Sequence, residues 1–207
     1  MSLTQRFATT LIVGATRLLT GVQARWRAEP QAGARIYFAN HSSHLDGAVI
    51  WASLPPLLRP RTRAVAALDY WEKSALRRYL AKRVFNVLMI DRNPQQSREQ
   101  RNAPLQPLLD ALDTGDALIL FPEGTRGEGE SIAPFKSGLY HLARQRPDVA
   151  LVPVYLENLN RILPKGSLMI VPLLCSAIFG APMCIASEES RDDFLLRARQ
   201  ALEELAP

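Results

Sequence analysis

Ala117-Leu118-Ile119-Leu120-Phe121-Pro122-Glu123-Gly124-Thr125-Arg126 is a short apolar run that stops on a polar turn. Four or five consecutive apolar residues bounded by proline and glycine read as a strand buried on both faces. Similar runs occur at 35–39, 63–67, 84–90, 149–155 and 168–178. Between them lie stretches with helical periodicity, at 3–26, 45–53, 70–82, 97–113, 135–146 and 190–205. Strands alternating with helices argue an α/β fold: a mixed, largely parallel sheet flanked by helices. In such sheets ligands bind beyond the carboxyl ends of the strands. Three polar clusters fall there, at 40–46, at 91–93 and at 122–126.

The chain has 207 residues, enough for one domain with a sizeable core. Hydrophobic residues make up 47% and charged ones 22%, which excludes a disordered chain, a collagen-like repeat and a disulfide scaffold. A net charge of +5 favours anionic partners: phosphorylated small molecules, anionic lipid or nucleic acid. No nucleic-acid motif is present, so nucleic acid is not expected as a partner. Nor is there a Walker A or dinucleotide glycine loop. Cys175 and Cys184 sit in apolar sequence with no CxxC pair, and are expected to be buried, reduced and inert. His41 and His44 lack a metal-ligand pattern, so no metal site is expected.

The N-terminus carries its own signal. Leu3, Phe7, Leu11, Ala15, Leu18, Val22 and Trp26 recur every three or four residues and share one face of an amphipathic helix. That face fits two placements: docked on the protein's own core, or lying on a membrane with Trp26 at headgroup level. The expected organisation is an N-terminal helix over 1–29 and an α/β domain over 30–207. Gly166 to Ser187 is uncharged for 22 residues, but Pro172, Gly180 and Pro182 interrupt it, so it reads as sheet core and not as a transmembrane helix.

Among the polar clusters, His41 and Asp46 have the spacing of a histidine base with an orienting carboxylate, although that spacing alone is weak. His44 rivals His41, being two residues before Asp46. Ser42 and Ser43 raise a nucleophile, but no Gly-x-Ser-x-Gly elbow surrounds them and helix capping is the simpler role. Glu123, Gly124, Thr125 and Arg126 offer close backbone approach, a hydroxyl and a guanidinium fork, which suits a phosphate monoester. Arg92 adds a second cation from a neighbouring strand end.

Those residues resemble a known family, the glycerolipid acyltransferases typified by bacterial 1-acyl-glycerol-3-phosphate acyltransferase. Its motif Asn-His-x-Ser-x-x-Asp stands at Asn40 to Asp46, and Phe-Pro-Glu-Gly-Thr-Arg stands unchanged at Phe121 to Arg126. A fixed hexapeptide arises by chance with a frequency of order 10⁻⁶, so that match carries the resemblance. Phe135-Lys136-Ser137-Gly138, Val152-Pro153-Val154 and Phe179-Gly180-Ala181-Pro182 extend it over about residues 35–185. Val87 to Arg92 meets a further motif only in part, because Asn86 stands where glycine is usual.

The resemblance implies an O-acyltransferase. It would move a fatty acyl group from acyl-CoA or acyl-ACP to the free hydroxyl of 1-acyl-glycerol-3-phosphate, with no cofactor beyond the thioester co-substrate. His41 would be the general base and Asp46 its partner. Arg92, Glu123, Gly124, Thr125 and Arg126 would bind the acceptor. His44 falls at a variable position and inherits no role. Other acceptors keep the same chemistry: another lysophospholipid, a lyso-ornithine lipid or a glycolipid precursor. A non-catalytic basic membrane-surface protein is the reading from another class. The charge supports a lipid surface, because residues 59–83 carry a net +6 together with Tyr70, Trp71 and Tyr79. The expected location is peripheral, on the cytoplasmic face of a bacterial inner membrane.

Overall fold

The structure is a computed structural model that describes residues 3–67, 87–90, 105–127, 129, 131–159 and 174–207. Helix α1 (Leu3–Thr20) leads into strand β1 (Gln23–Trp26), then β2 (Arg35–Ala39) and α2 (Asp46–Ser53). A single 3₁₀ turn at Arg59–Arg61 precedes β3 (Thr62–Ala67) and β4 (Leu88–Ile90). Helix α3 (Gln106–Asp113), β5 (Ala117–Leu120), α4 (Gly138–Gln145), β6 (Ala150–Glu157), β7 (Ser176–Phe179) and α5 (Arg191–Glu203) complete the described elements.

The strands form one sheet in the order β1-β7-β6-β2-β5-β3-β4. All neighbours pair in parallel except β6 and β7. This is the mixed, largely parallel sheet that the alternating sequence pattern predicts. Strand β2 lies centrally between β5 and β6 and is buried along its whole length. Its alternating side chains feed two cores. Tyr37 and Ala39 face the layer that holds Val13 of α1 and Val49, Ile50 and Trp51 of α2. Ile36 and Phe38 face Leu108 of α3, Leu142 of α4 and Phe194 of α5. Each such side chain, fully buried, stabilises the fold by roughly 1.5–3 kcal/mol.

Several elements differ from the sequence expectation. The first helix does not run to Trp26. It stops at Thr20, Gly21 turns the chain at φ 55°, and Gln23–Trp26 pair in parallel with β7. Trp26 therefore stacks on Phe179, with centroids 3.8 Å apart, and has no place on a membrane-facing helix. Of the two placements open to the apolar row of α1, the outward one is observed. Phe7 is 72% exposed, Leu11 57% and Leu18 86%, whereas Val13 and Thr20 are buried. Among the described residues no helix is long and apolar enough to cross a membrane. Helix α4 begins only at Gly138, because Lys136 donates its backbone N–H to the Pro122 carbonyl at 2.8 Å and belongs to the turn. Cys175 is buried as expected, but Cys184 is exposed, and both are free thiols.

The expected helix at 70–82, the first part of that at 97–113, Arg92 and the basic residues Lys73 to Arg83 lie outside the described residues. So does most of the run at 168–178. Of the basic patch, three arginines are described. Arg59 is buried, while Arg61 and Arg63 both face Asp116, at 3.0 Å and 3.7 Å.

Candidate active site

The site forms where β2 and β5, adjacent parallel strands, end side by side and run into polar loops. Asn40 is the first residue past β2. Its side-chain amide donates to the Leu156 carbonyl at 2.9 Å and accepts the Leu156 N–H at 2.7 Å. This double bond to β6 fixes the direction in which the loop leaves the sheet. His41 follows, with its ring stacked on Phe121 at 4.2 Å.

Asp46 opens α2 and is completely buried. Its Oδ2 lies 2.8 Å from His41 Nδ1 and accepts the N–H groups of Ser42 at 2.7 Å and Ser43 at 2.9 Å. The chain thus wraps its own carboxylate in the loop just ahead of α2. With Nδ1–H donating to Asp46, the lone pair of His41 is on Nε2. The His41 side chain keeps 23% of its surface open. Oδ1 of Asp46 is buried without a partner among the described residues, so the carboxylate is committed to one side.

Glu123 is 4% exposed. Its Oε1 accepts the His41 backbone N–H at 2.7 Å and its Oε2 accepts the Ala133 N–H at 2.9 Å. The His41 carbonyl in turn accepts the Gly127 N–H at 2.8 Å. The two polar loops are therefore sewn together around the histidine. Gly124 turns the second loop at φ 73°, a left-handed conformation, and a Cβ there would lie 2.8 Å from the Lys136 side chain. Thr125 is exposed, and Arg126 comes round to meet His44, with Nη1 against Nε2.

The fold thus brings together His41, Asp46, Glu123, Gly124, Thr125 and Arg126 from sequence positions some 80 residues apart. Sequence reasoning missed three participants. Asn40 and Phe121 were visible only as letters of the motifs. His44, left without a role, is the side chain that meets Arg126. The two histidines serve different partners, and among the described residues no group of three His, Cys, Asp or Glu side chains could hold a metal ion. A cleft of about 260 Å³ opens beside His41, between Asn40, Ser42, Glu123, Tyr155 and Glu203. Burial and the nearby Glu157 charge push the Tyr155 phenol above its ordinary value, so it faces the cleft as a neutral hydroxyl.

This arrangement has counterparts. An acyltransferase family profile matches residues 23–157, about two thirds of the chain. A 1-acyl-sn-glycerol-3-phosphate acyltransferase of Escherichia coli is 30% identical over 152 residues, which is 69% of this chain and 56% of that protein. One from Limnanthes douglasii is 29% identical over 143 residues, 67% of this chain and 46% of that protein. The chain spans about half the length of these curated relatives. The crystal structure of a 1-acyl-sn-glycerophosphate acyltransferase from Thermotoga maritima superposes with a TM-score of 0.72, over 97% of this chain and 79% of that one. At 17% identity that likeness speaks for the fold. The family match and the motifs assembled around His41 have one meaning: the chain belongs to the acyltransferase family.

Proposed function

We propose that this chain transfers a fatty acyl group from acyl-CoA or acyl-ACP to the free hydroxyl of 1-acyl-glycerol-3-phosphate, giving phosphatidate. The observation that carries the reading is the buried Asp46 carboxylate on His41 Nδ1 at 2.8 Å, in a loop that Glu123 ties to the Arg126 turn. The activities named for the curated relatives agree with it.

His41 Nε2 takes the proton of the acceptor hydroxyl as its oxygen attacks the thioester carbonyl. Asp46 stabilises the imidazolium that results. The tetrahedral intermediate collapses, the C–S bond breaks, and the proton passes from Nε2 to the leaving thiolate. No acyl-enzyme is formed, and Ser42 is not a nucleophile. Arg126, with Arg92, takes the acceptor phosphate, and the Gly124-Thr125 turn lets it approach. Glu123 contributes by fixing the His41 backbone. The amides of His41, Ser42 and Ser43 already donate to carboxylates, so the oxyanion draws its donors from elsewhere. The outward row Phe7, Leu11 and Leu18 supports a peripheral seat on the membrane that holds the acceptor.

The test is an acceptor and donor panel run on purified protein beside His41→Ala. Transfer to lysophosphatidate that vanishes in the variant is expected. Strong transfer only to a phosphate-free acceptor, such as a lyso-ornithine lipid, would overturn the assignment of substrate. Unchanged transfer in His41→Ala would overturn the mechanism.

A further inference from the structure

At the far end of α2 from Asp46, two arginines converge on one carbonyl. Leu54-Pro55-Pro56 ends the helix, and Pro56 has no N–H to give to the Ala52 carbonyl four residues back. Arg17 of α1 donates to that oxygen from Nη2 at 3.0 Å, and Arg59 of the 3₁₀ turn donates from its own Nη2 at 3.1 Å. Capping a helix carboxyl end with cations is favourable, but the dipole there amounts to only about half a negative charge. Two full positive charges meet it. Neither guanidinium pairs with a carboxylate among the described residues. Arg59 is 9% exposed, and its Nε is buried with no partner among the described residues. Burial first, and then the Arg17 charge, press its guanidinium below the ordinary value. Capping alone leaves this excess unexplained.

The surroundings suit an anion carried by a lipid. Leu18, next to Arg17 in the chain, is 86% exposed, and Leu57, two residues before Arg59, is 90% exposed. At 100° per residue Phe7, Leu11 and Leu18 fall within about 40° of one another, and Arg17 lies roughly 100° from that row. The charged pair therefore sits beside an apolar strip with no protein cover among the described residues, the arrangement of a headgroup above acyl chains.

We infer that Arg17 and Arg59 form a binding site for the phosphate of an anionic phospholipid, separate from the catalytic loops, with Leu18 and Leu57 in the acyl layer. Ala52 lies six residues past Asp46 in α2, so this site stands about 9 Å along the helix axis from Asp46. The bound lipid sets the distance of the catalytic end from the bilayer. The inference is independent of which acceptor the enzyme uses.

The experiment is vesicle co-sedimentation of the full chain, with phosphatidylcholine alone and with phosphatidylcholine containing phosphatidylglycerol. The wild type should prefer the anionic vesicles. Arg17→Gln should weaken binding to the anionic vesicles roughly fivefold, with neutral vesicles little affected. Arg17→Lys should keep most of the preference. Arg59→Lys, which retains the charge but loses the planar fork, should give an intermediate loss with a normal circular-dichroism melt. An undiminished anionic preference in both Arg17→Gln and Arg59→Lys would overturn the site, whatever their melts. Equal losses on both vesicle types would reduce the pair to a helix clamp. Displacement by inorganic phosphate as readily as by anionic lipid would overturn the lipid as its ligand.

Discussion

Glu123 holds His41 by the backbone: its Oε1 accepts the histidine's own N–H at 2.7 Å, while Oε2 accepts that of Ala133 at 2.9 Å. A buried carboxylate that takes two amides from loops so far apart in sequence acts as a fastener. In the proposed mechanism it acts by placing His41, without touching substrate.

Glu123→Gln should separate that role from substrate contact. The amide keeps one acceptor oxygen and turns an NH₂ toward the other N–H. One buried donor is left unpaired, at a cost of about 1–3 kcal/mol. We expect a lower urea midpoint and a reduced kcat, with the acceptor KM nearly unchanged. A raised acceptor KM at constant kcat would return Glu123 to the acceptor.

Asp46→Asn should preserve the fold and lose the chemistry. The carboxamide still offers one oxygen to the Ser42 and Ser43 amides, but it no longer enforces the Nδ1–H tautomer. A drop in kcat on the order of 10²–10⁴ is expected, by analogy with triads whose aspartate is amidated. Single-turnover transfer assays, with circular dichroism as the control, would measure it.

Arg126→Gln tests the acceptor phosphate. Charge-assisted hydrogen bonds contribute about 1.5–3 kcal/mol, so KM for a phosphate-bearing acceptor should rise roughly tenfold or more. A phosphate-free acceptor should not notice the change. His44→Ala, which removes the ring against Arg126, should raise the same KM by less.

Two glycines should respond differently to alanine. At Gly180 an added Cβ would lie 2.7 Å from Pro153 Cγ and 3.1 Å from Leu205 Cδ1, so packing must shift, at about 1–3 kcal/mol. At Gly124 the near atoms are the movable Lys136 side chain, and the φ of 73° sets the cost, about 1–2 kcal/mol. Only Gly124→Ala should slow transfer beyond what its lost stability explains. Thermal melts paired with kinetics would tell them apart.

A pH prediction rests on Glu189, whose carboxyl is held below its ordinary 4.5 by the Arg197 hydrogen bonds. A depressed carboxylate stabilises the fold above its unfolded value, and that share is lost as pH falls through the folded one. Arg197→Gln should raise the midpoint of acid unfolding and leave stability above neutrality less changed in its slope. An acid titration followed by tryptophan fluorescence suffices.

The sequence carried the sheet and the loops that bear the chemistry, because both are local signals. Strand 35–39 is apolar at every position after Arg35, and it is observed over those residues. Where α1 ends was not local. Val22 and Trp26 continue the helical period, but the pairing of Gln23–Trp26 with β7 depends on residues about 150 positions away. Which way the helix faces was equally hidden, since one apolar row suits a core or a bilayer. The His41–Asp46 pair was legible from its motif, the spacing alone being weak. The fastening by Glu123 was not, because its partners are backbone amides, and any residue could supply those.

The amides of His41, Ser42 and Ser43 and the carbonyl of His41 are all bonded within the protein, although they belong to a loop. In deuterated solvent these three amides, and that of Gly127 on the His41 carbonyl, should therefore exchange like the strands they adjoin, and far more slowly than ordinary surface turns. His41 then travels with the sheet as one rigid piece.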